Sequence, residues 1–121
     1  FSFVQSGVMS KKILVVEDDA FLAMTLAMDL EDAGYDVVGP FMTVAKALVG
    51  LAAHPVDLGI LDMNLGDETS ETVAAALTAK GIPFVVATGY NDAKLTGAFE
   101  GARILTKPYL TEDLIATLSV L

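Results

Sequence analysis

At 121 residues the chain has room for one domain, and its 54% hydrophobic content and mean hydropathy of +0.59 exclude a disordered chain. Sixteen acidic residues stand against 7 basic ones, for a net charge of −9, a field that argues against direct nucleic-acid binding. The absence of cysteine excludes disulfides, thiolate metal sites and a cysteine nucleophile, and no apolar run approaches the roughly 18 residues of a membrane span.

The opening residues, FSFVQSGV, lack the basic start and long apolar centre of a signal peptide. Periodic patterning begins only after Met9-Ser10-Lys11-Lys12, so residues 1–8 are read as upstream or cloning-derived and residues 9–121 as the domain. A soluble, cytoplasmic protein, monomeric or weakly dimeric, is expected.

KILVV (12–16) is a short apolar run rich in β-branched residues, which reads as a buried strand ending in Glu17-Asp18-Asp19. From Ala20 onward Phe21, Met24, Leu26, Met28 and Leu30 form a pattern too long for a strand, predicting a helix that stops near Gly34. Met24 and Met28 are read as core filler. YDVVG (35–39) is a second strand, closed by Pro40. Thr43 is placed to cap a helix whose Val44, Ala47, Leu48 and Leu51 share one face, and His54-Pro55 breaks it. His54 is read as an exposed helix-end residue.

DLGIL (57–61) is strand three, with Gly59 allowing a helix to approach closely. A polar loop follows, with Asp67 and Glu68 solvated, then an alanine-rich helix from Glu71 to Lys80 stopped by Gly81. IPFVVA (82–87) is strand four. DAKLTGAFEGA, with Gly97 and Gly101, predicts only a short or irregular helix. RILT (103–106) is strand five, and Thr111 is placed to cap a last helix whose first turn carries Glu112 and Asp113.

Strands alternating with helices predict a parallel sheet covered on both faces, with ligands beyond the carboxyl ends of the strands. Strand one ends in Glu17-Asp18-Asp19, strand three in Asp62 with Asn64 two further on, strand four in Thr88 and strand five in Lys107. Singly, each has a plain structural reading: Asp62 as an acid meeting solvent, Thr88 as a strand end, Lys107 as a surface lysine. Glu17-Asp18-Asp19 can also serve the N-terminus of the following helix, with Asp19 as the capping residue. Their convergence on one rim favours chemistry. Asp18 and Asp62, with waters and the carbonyl of Asn64, suit Mg²⁺, for which Mn²⁺ can substitute. An ionised Asp62 can attack phosphorus and form an acyl phosphate. Lys107 would neutralise charge on the transferred group and Thr88 would hydrogen-bond one of its oxygens.

ILVVEDD, LDMN, ATG and KPY, in this order and at nearly these spacings, resemble the receiver domains of two-component response regulators, over essentially all of residues 11–121. The resemblance implies the CheY-like, flavodoxin-like (βα)5 doubly wound α/β fold, strand order 2-1-3-4-5, with a short or irregular fourth helix. It implies Glu17 and Asp18 as the acidic pair at the metal, Asp62 as the phosphoacceptor and Asn64 as a backbone-carbonyl ligand. Thr88 matches the switch hydroxyl, Lys107 the invariant lysine, and Pro108 the proline whose peptide bond is usually cis in this family. The implied donor is a phosphohistidine on a histidine kinase or phosphotransfer protein. The chain would then be a signalling protein that catalyses only its own phosphorylation and dephosphorylation, read by a downstream regulator protein.

Several positions depart from the family pattern. The switch aromatic expected three residues before the lysine is Ile104, and the 19-residue interval from Thr88 to Lys107 is short. The customary Leu-Pro after the phosphoacceptor is Leu65-Gly66. FVVATGY with LDMNLGDE further resembles the alphaproteobacterial FAT GUY single-domain receivers and the receiver half of PhyR-type general-stress regulators, which assigns Tyr90 a switch or interface role. Two alternatives stay beside this reading: a phosphate sink without an effector, and a small Mg²⁺-dependent aspartyl-phosphate phosphatase. The latter lacks the second acid two residues after the nucleophile, where Asn64 stands. A flavin-binding reading fails, because Glu17-Asp18-Asp19 would repel the flavin phosphate.

Overall fold

The computed structural model describes residues 10–89 and 97–121. Strands β1 (Lys12–Val16), β2 (Asp36–Phe41), β3 (Leu58–Asp62), β6 (Phe84–Thr88) and β7 (Arg103–Thr106) form one parallel sheet in the order β2-β1-β3-β6-β7. A two-stranded hairpin, β4 (Asn64–Leu65) and β5 (Glu68–Thr69), occupies the expected polar loop. Leaving the hairpin aside, the order is the expected 2-1-3-4-5. Helices α1 (Ala20–Asp32), α2 (Val44–Ala53), α3 (Glu71–Ala79) and α4 (Thr111–Ser119), with a single 3₁₀ turn (Gly97–Phe99), complete the described elements. That turn falls within the stretch where the sequence predicts a short or irregular fourth helix, and residues 90–96 lie outside the described residues.

Alternation along the strands builds two cores. Leu14, Val16, Leu61 and Val86 point to one face, where α2, α3 and Phe99 cover them. Ile13, Val15, Ile60 and Val85 point to the other, against Leu26 and Leu30 of α1 and Leu114 and Leu118 of α4. Every residue of β3 and β6 is buried, as strands covered on both sides require. At Gly59 α3 packs close to the strand: a Cβ there would lie 2.9 Å from Leu77 Cδ1, so a larger residue would force the Leu77 side chain to shift.

Four local expectations are corrected. Strand β2 does not end at Pro40 but continues through a cis Gly39–Pro40 bond to Phe41. It is an edge strand, so the missing N–H of Pro40 deprives no outer neighbour, and the register shift between Leu14 and Val16 absorbs the irregularity. Thr111 does not cap α4, because Leu110 occupies the cap position and the Thr111 hydroxyl donates to Asp29 Oδ2 of α1 at 2.9 Å. Glu68 is not merely solvated: its Oε2 accepts from the Val44 N–H at 3.2 Å, joining Thr43 in capping α2. Met24 and Met28 are exposed, because Ala23, Leu26 and Leu30 make the buried face of α1. Among the described residues no helix is long and apolar enough to cross a membrane.

Candidate functional site

The carboxyl ends of β1, β3, β6 and β7 meet because the strands run in register. Asp62 lies opposite Ala87, and Thr88 lies opposite Thr106. Backbone bonds draw the exits together: the Met63 N–H donates to the Ala87 carbonyl at 2.9 Å, and the Lys107 N–H to the Thr88 carbonyl at 2.7 Å. On the other side the Glu17 N–H reaches the Phe41 carbonyl at 3.0 Å. The residues leaving each strand are thereby held where the sheet ends, with little freedom to drift.

Lys107 is the centre of the rim. Its Nζ donates to Glu17 Oε1 at 2.9 Å and to Asp62 Oδ2 at 3.1 Å. The other Glu17 oxygen accepts from the Asp19 N–H at 3.2 Å. Glu17, Asp62 and Thr88 are buried and Asp18 is half-buried. Asp19 stands apart from the cluster, with its Oδ1 accepting from the N–H groups of Phe21 and Leu22 at 3.0 and 3.1 Å, the helix-capping role expected of it.

The electrostatics set the two buried acids against each other. Burial, then the adjacent Glu17, pushes Asp62 from 3.8 up to about 7, with Lys107 opposing. Burial also pushes Glu17 up, but its hydrogen bonds with Asp62, Lys107 and the Asp19 N–H outweigh that and leave it below the ordinary range. For Lys107, burial favours the neutral form, yet the bonds to Glu17 and Asp62 hold it above its usual value. One lysine thus serves two buried carboxylates, and the site resists carrying both charges unaided.

A third acid completes the group: oxygens of Glu17, Asp18 and Asp62 lie within 4.8 Å of one another. Fully ionised, they exceed the single charge of Lys107 by two, and their oxygens are hard donors. Both properties fit a divalent cation such as Mg²⁺.

The other singled-out positions fall as follows. Asn64 is exposed at the start of the hairpin, opposite Thr69. Ile104 is half-buried on β7, paired with Val86. Pro108 follows Lys107 through a cis peptide bond, as the resemblance implied. Tyr90 lies outside the described residues. Sequence reasoning missed Ser70, fully buried at the α3 cap position, whose hydroxyl has no hydrogen-bond partner among the described residues. It also missed Glu71, whose Oε2 accepts from the Ala98 N–H at 3.0 Å. A glutamate opening a helix gives no hint that it will cap a turn so far along the chain.

Comparisons with known proteins agree with this geometry. The family described as response regulator receiver domain matches residues 13–119. Over 116 residues the chain is 30% identical to the phyllosphere-induced regulator PhyR of Methylorubrum extorquens, covering 92% of this chain and 43% of PhyR. It is 29% identical over 114 residues to the transcriptional regulatory protein PdtaR of Mycobacterium tuberculosis, covering 91% of this chain and 56% of PdtaR. The chain thus spans about half the length of the curated relatives it matches. Among solved structures, SdrG from Sphingomonas melonis Fr1 is 40% identical with a TM-score of 0.77, covering 91% of this chain and 94% of SdrG. A CheY-like receiver domain protein from Methanospirillum hungatei JF-1 is 25% identical with a TM-score of 0.80, covering 93% of each chain. The PhyR and SdrG matches fit the narrower resemblance carried by FVVATGY and LDMNLGDE. With its strand order, its acidic rim and the family match agreeing, the chain belongs to the response regulator receiver domains.

Proposed function

We propose that the chain is a phosphoacceptor signalling module in which Asp62 takes a phosphoryl group from a phosphohistidine on a histidine kinase or phosphotransfer protein. The observation that carries this reading is Lys107, bonded at once to Asp62 and Glu17 on the rim that Thr88 also reaches. Asp62 must be ionised to act. A carboxylate oxygen then attacks phosphorus, a P–O bond forms, and the P–N bond breaks with its electrons returning to the imidazole of the donor. Lys107 stays beside Asp62 and neutralises the transferred charge, while the Thr88 hydroxyl donates to a phosphoryl oxygen. Glu17, Asp18 and Asp62, with the backbone carbonyl of Asn64, would hold Mg²⁺, whose charge keeps Asp62 ionised and draws density from the phosphoryl oxygens. Hydrolysis of the acyl phosphate returns Asp62 to its starting state.

The phosphorylated state would shift a two-state equilibrium on the face around β7, where a partner protein reads it. With Asn64 in place of a general acid, the phosphatase reading is weaker. Incubation with Mg²⁺ and acetyl phosphate, followed by intact mass, tests the proposal. One labile phosphoryl group is expected on the native chain and none on Asp62→Asn. Continuous turnover of small phosphate esters with no phosphorylated protein accumulating would overturn it.

A further inference from the structure

The hairpin that follows Asp62 is held from outside as well as from within. Asn64 pairs with Thr69 and Leu65 with Glu68, and buried Leu65 roots the pair in the core. The Ser70 N–H donates to the Met63 carbonyl at 3.0 Å, so the chain from Met63 to Ser70 closes into one unit. Its turn lies beside the acidic group: a Cβ built on Gly66 would stand 3.9 Å from Asp18 Oδ2. Asn64, whose backbone carbonyl is proposed as a ligand of the cation, belongs to the same unit.

Two glutamates moor this unit to the rest of the fold. Glu68 does so on the α2 side, through the Val44 N–H. Glu71, the first residue of α3 and the neighbour of Ser70, does so on the other, where its Oε2 accepts from the Ala98 N–H at 3.0 Å. The turn that supplies this amide is itself fixed, because Phe99 is buried in the same core as Val73 and Ala74 of α3. A glutamate opening a helix serves the helix dipole whichever way it points. Here it is aimed at one amide 27 residues away, and a charged acceptor makes that bond stronger than a neutral one. Gly97 leaves room for it, since a Cβ there would collide with the carboxylate.

The acids at the rim explain why a mooring matters. Without a cation, Glu17, Asp18 and Asp62 repel one another with their oxygens within 4.8 Å, and the glycine turn beside Asp18 has no side chain to brace it. Ordering the hairpin at the moment of binding would cost affinity. A hairpin already held does not bear that cost.

We infer that Glu71 is a positioning residue of the cation site. By fixing the start of α3 to the turn at Ala98, it holds the Asn64 carbonyl and the Gly66 turn in the arrangement that receives Mg²⁺. This role rests on the proposed cation site at Glu17, Asp18 and Asp62, and adds to it a residue that touches neither cation nor phosphoryl group.

The test is a titration of the full chain with Mg²⁺, followed by the amide signals of Asp18 and Gly66, with hydrogen exchange read at Ala98. Glu71→Ala should weaken Mg²⁺ binding about fivefold. Coupling is reciprocal, so Mg²⁺ should slow exchange of the Ala98 N–H in the native chain by about the same factor. Glu71→Gln loses the charge but keeps an oxygen acceptor, and should bind Mg²⁺ nearly as the native chain does. Gly97→Ala keeps the charge but crowds the carboxylate; it should weaken binding, and add nothing in a Glu71→Ala background. If Glu71→Ala fails to fold, the contrast between Glu71→Gln and Gly97→Ala carries the test. Native affinity in Glu71→Ala or Gly97→Ala, or a Glu71→Gln as weak as Glu71→Ala, overturns the positioning role and leaves the cation site standing. A native chain that binds no Mg²⁺ overturns both.

Discussion

Asp57 and Asp62 bracket the same apolar run, yet the fold gives them opposite tasks. Asp57 is exposed at the amino end of β3, where its Oδ2 accepts from the Lys12 N–H at 2.8 Å and pins the start of β1. Asp62 is buried at the carboxyl end, bound to Lys107, pressed by Glu17, and pushed up to about 7. Residue type and strand are the same. What differs is which neighbours the other strands deliver: a backbone amide at one end, side chains of three strands at the other. A parallel sheet makes its two ends chemically unequal, and function collects at one of them.

Removing the counter-charge should break this contrast most severely. Lys107→Met leaves Glu17 and Asp62 buried without a cation, at an expected cost of about 3 kcal/mol at neutral pH in chelator. Urea unfolding with and without Mg²⁺ checks it, and added Mg²⁺ should recover part of the loss.

A smaller effect comes from titration. Because folding raises the pKa of Asp62 from 3.8 to about 7, its stabilising contribution is complete below pH 3.8 and is lost as pH rises through about 7. Metal-free protein should therefore weaken between these limits. Asp62→Asn should remove that slope and gain roughly 2 kcal/mol at pH 7.5 over the native chain. Unfolding curves at pH 4.5 and 7.5 in chelator measure both, and equal slopes in the two proteins would contradict the burial argument.

The smallest effect belongs to the other end of the strand. Asp57→Ala should cost only about 1 kcal/mol, independent of Mg²⁺, with phosphorylation unchanged. Loss of phosphorylation in this variant would erase the distinction between the two ends.

The central strands and the rim were legible because KILVV and DLGIL are apolar runs too short for helices, and each ends in a residue of distinct chemistry. The same reasoning failed on α1, where Met24 and Leu26 are equally apolar and hydrophobicity cannot say which stripe meets the sheet. The small Ala23 decides it, by letting that face approach. Caps were legible where they are local, as with Thr43 and Asp19. They were illegible where the partner is distant, as with Glu68 on α2, Glu71 on the 3₁₀ turn and Thr111 diverted to Asp29. A pattern along the chain cannot weigh a partner that only folding brings near.

The Glu71 contact has a consequence for how this chain can change over generations. Gly97 sits at φ +59, and a Cβ there would collide with the Glu71 carboxylate that holds the next residue. Any side chain at 97 displaces that carboxylate, whereas shortening residue 71 forfeits the bond but opens the space. Shortening residue 71 removes the collision but not the cost of the positive φ, which any L side chain at 97 would still bear. The first residue of α3 and the turn before β7 are thereby coupled, because a change at either 71 or 97 alters the contact that joins them.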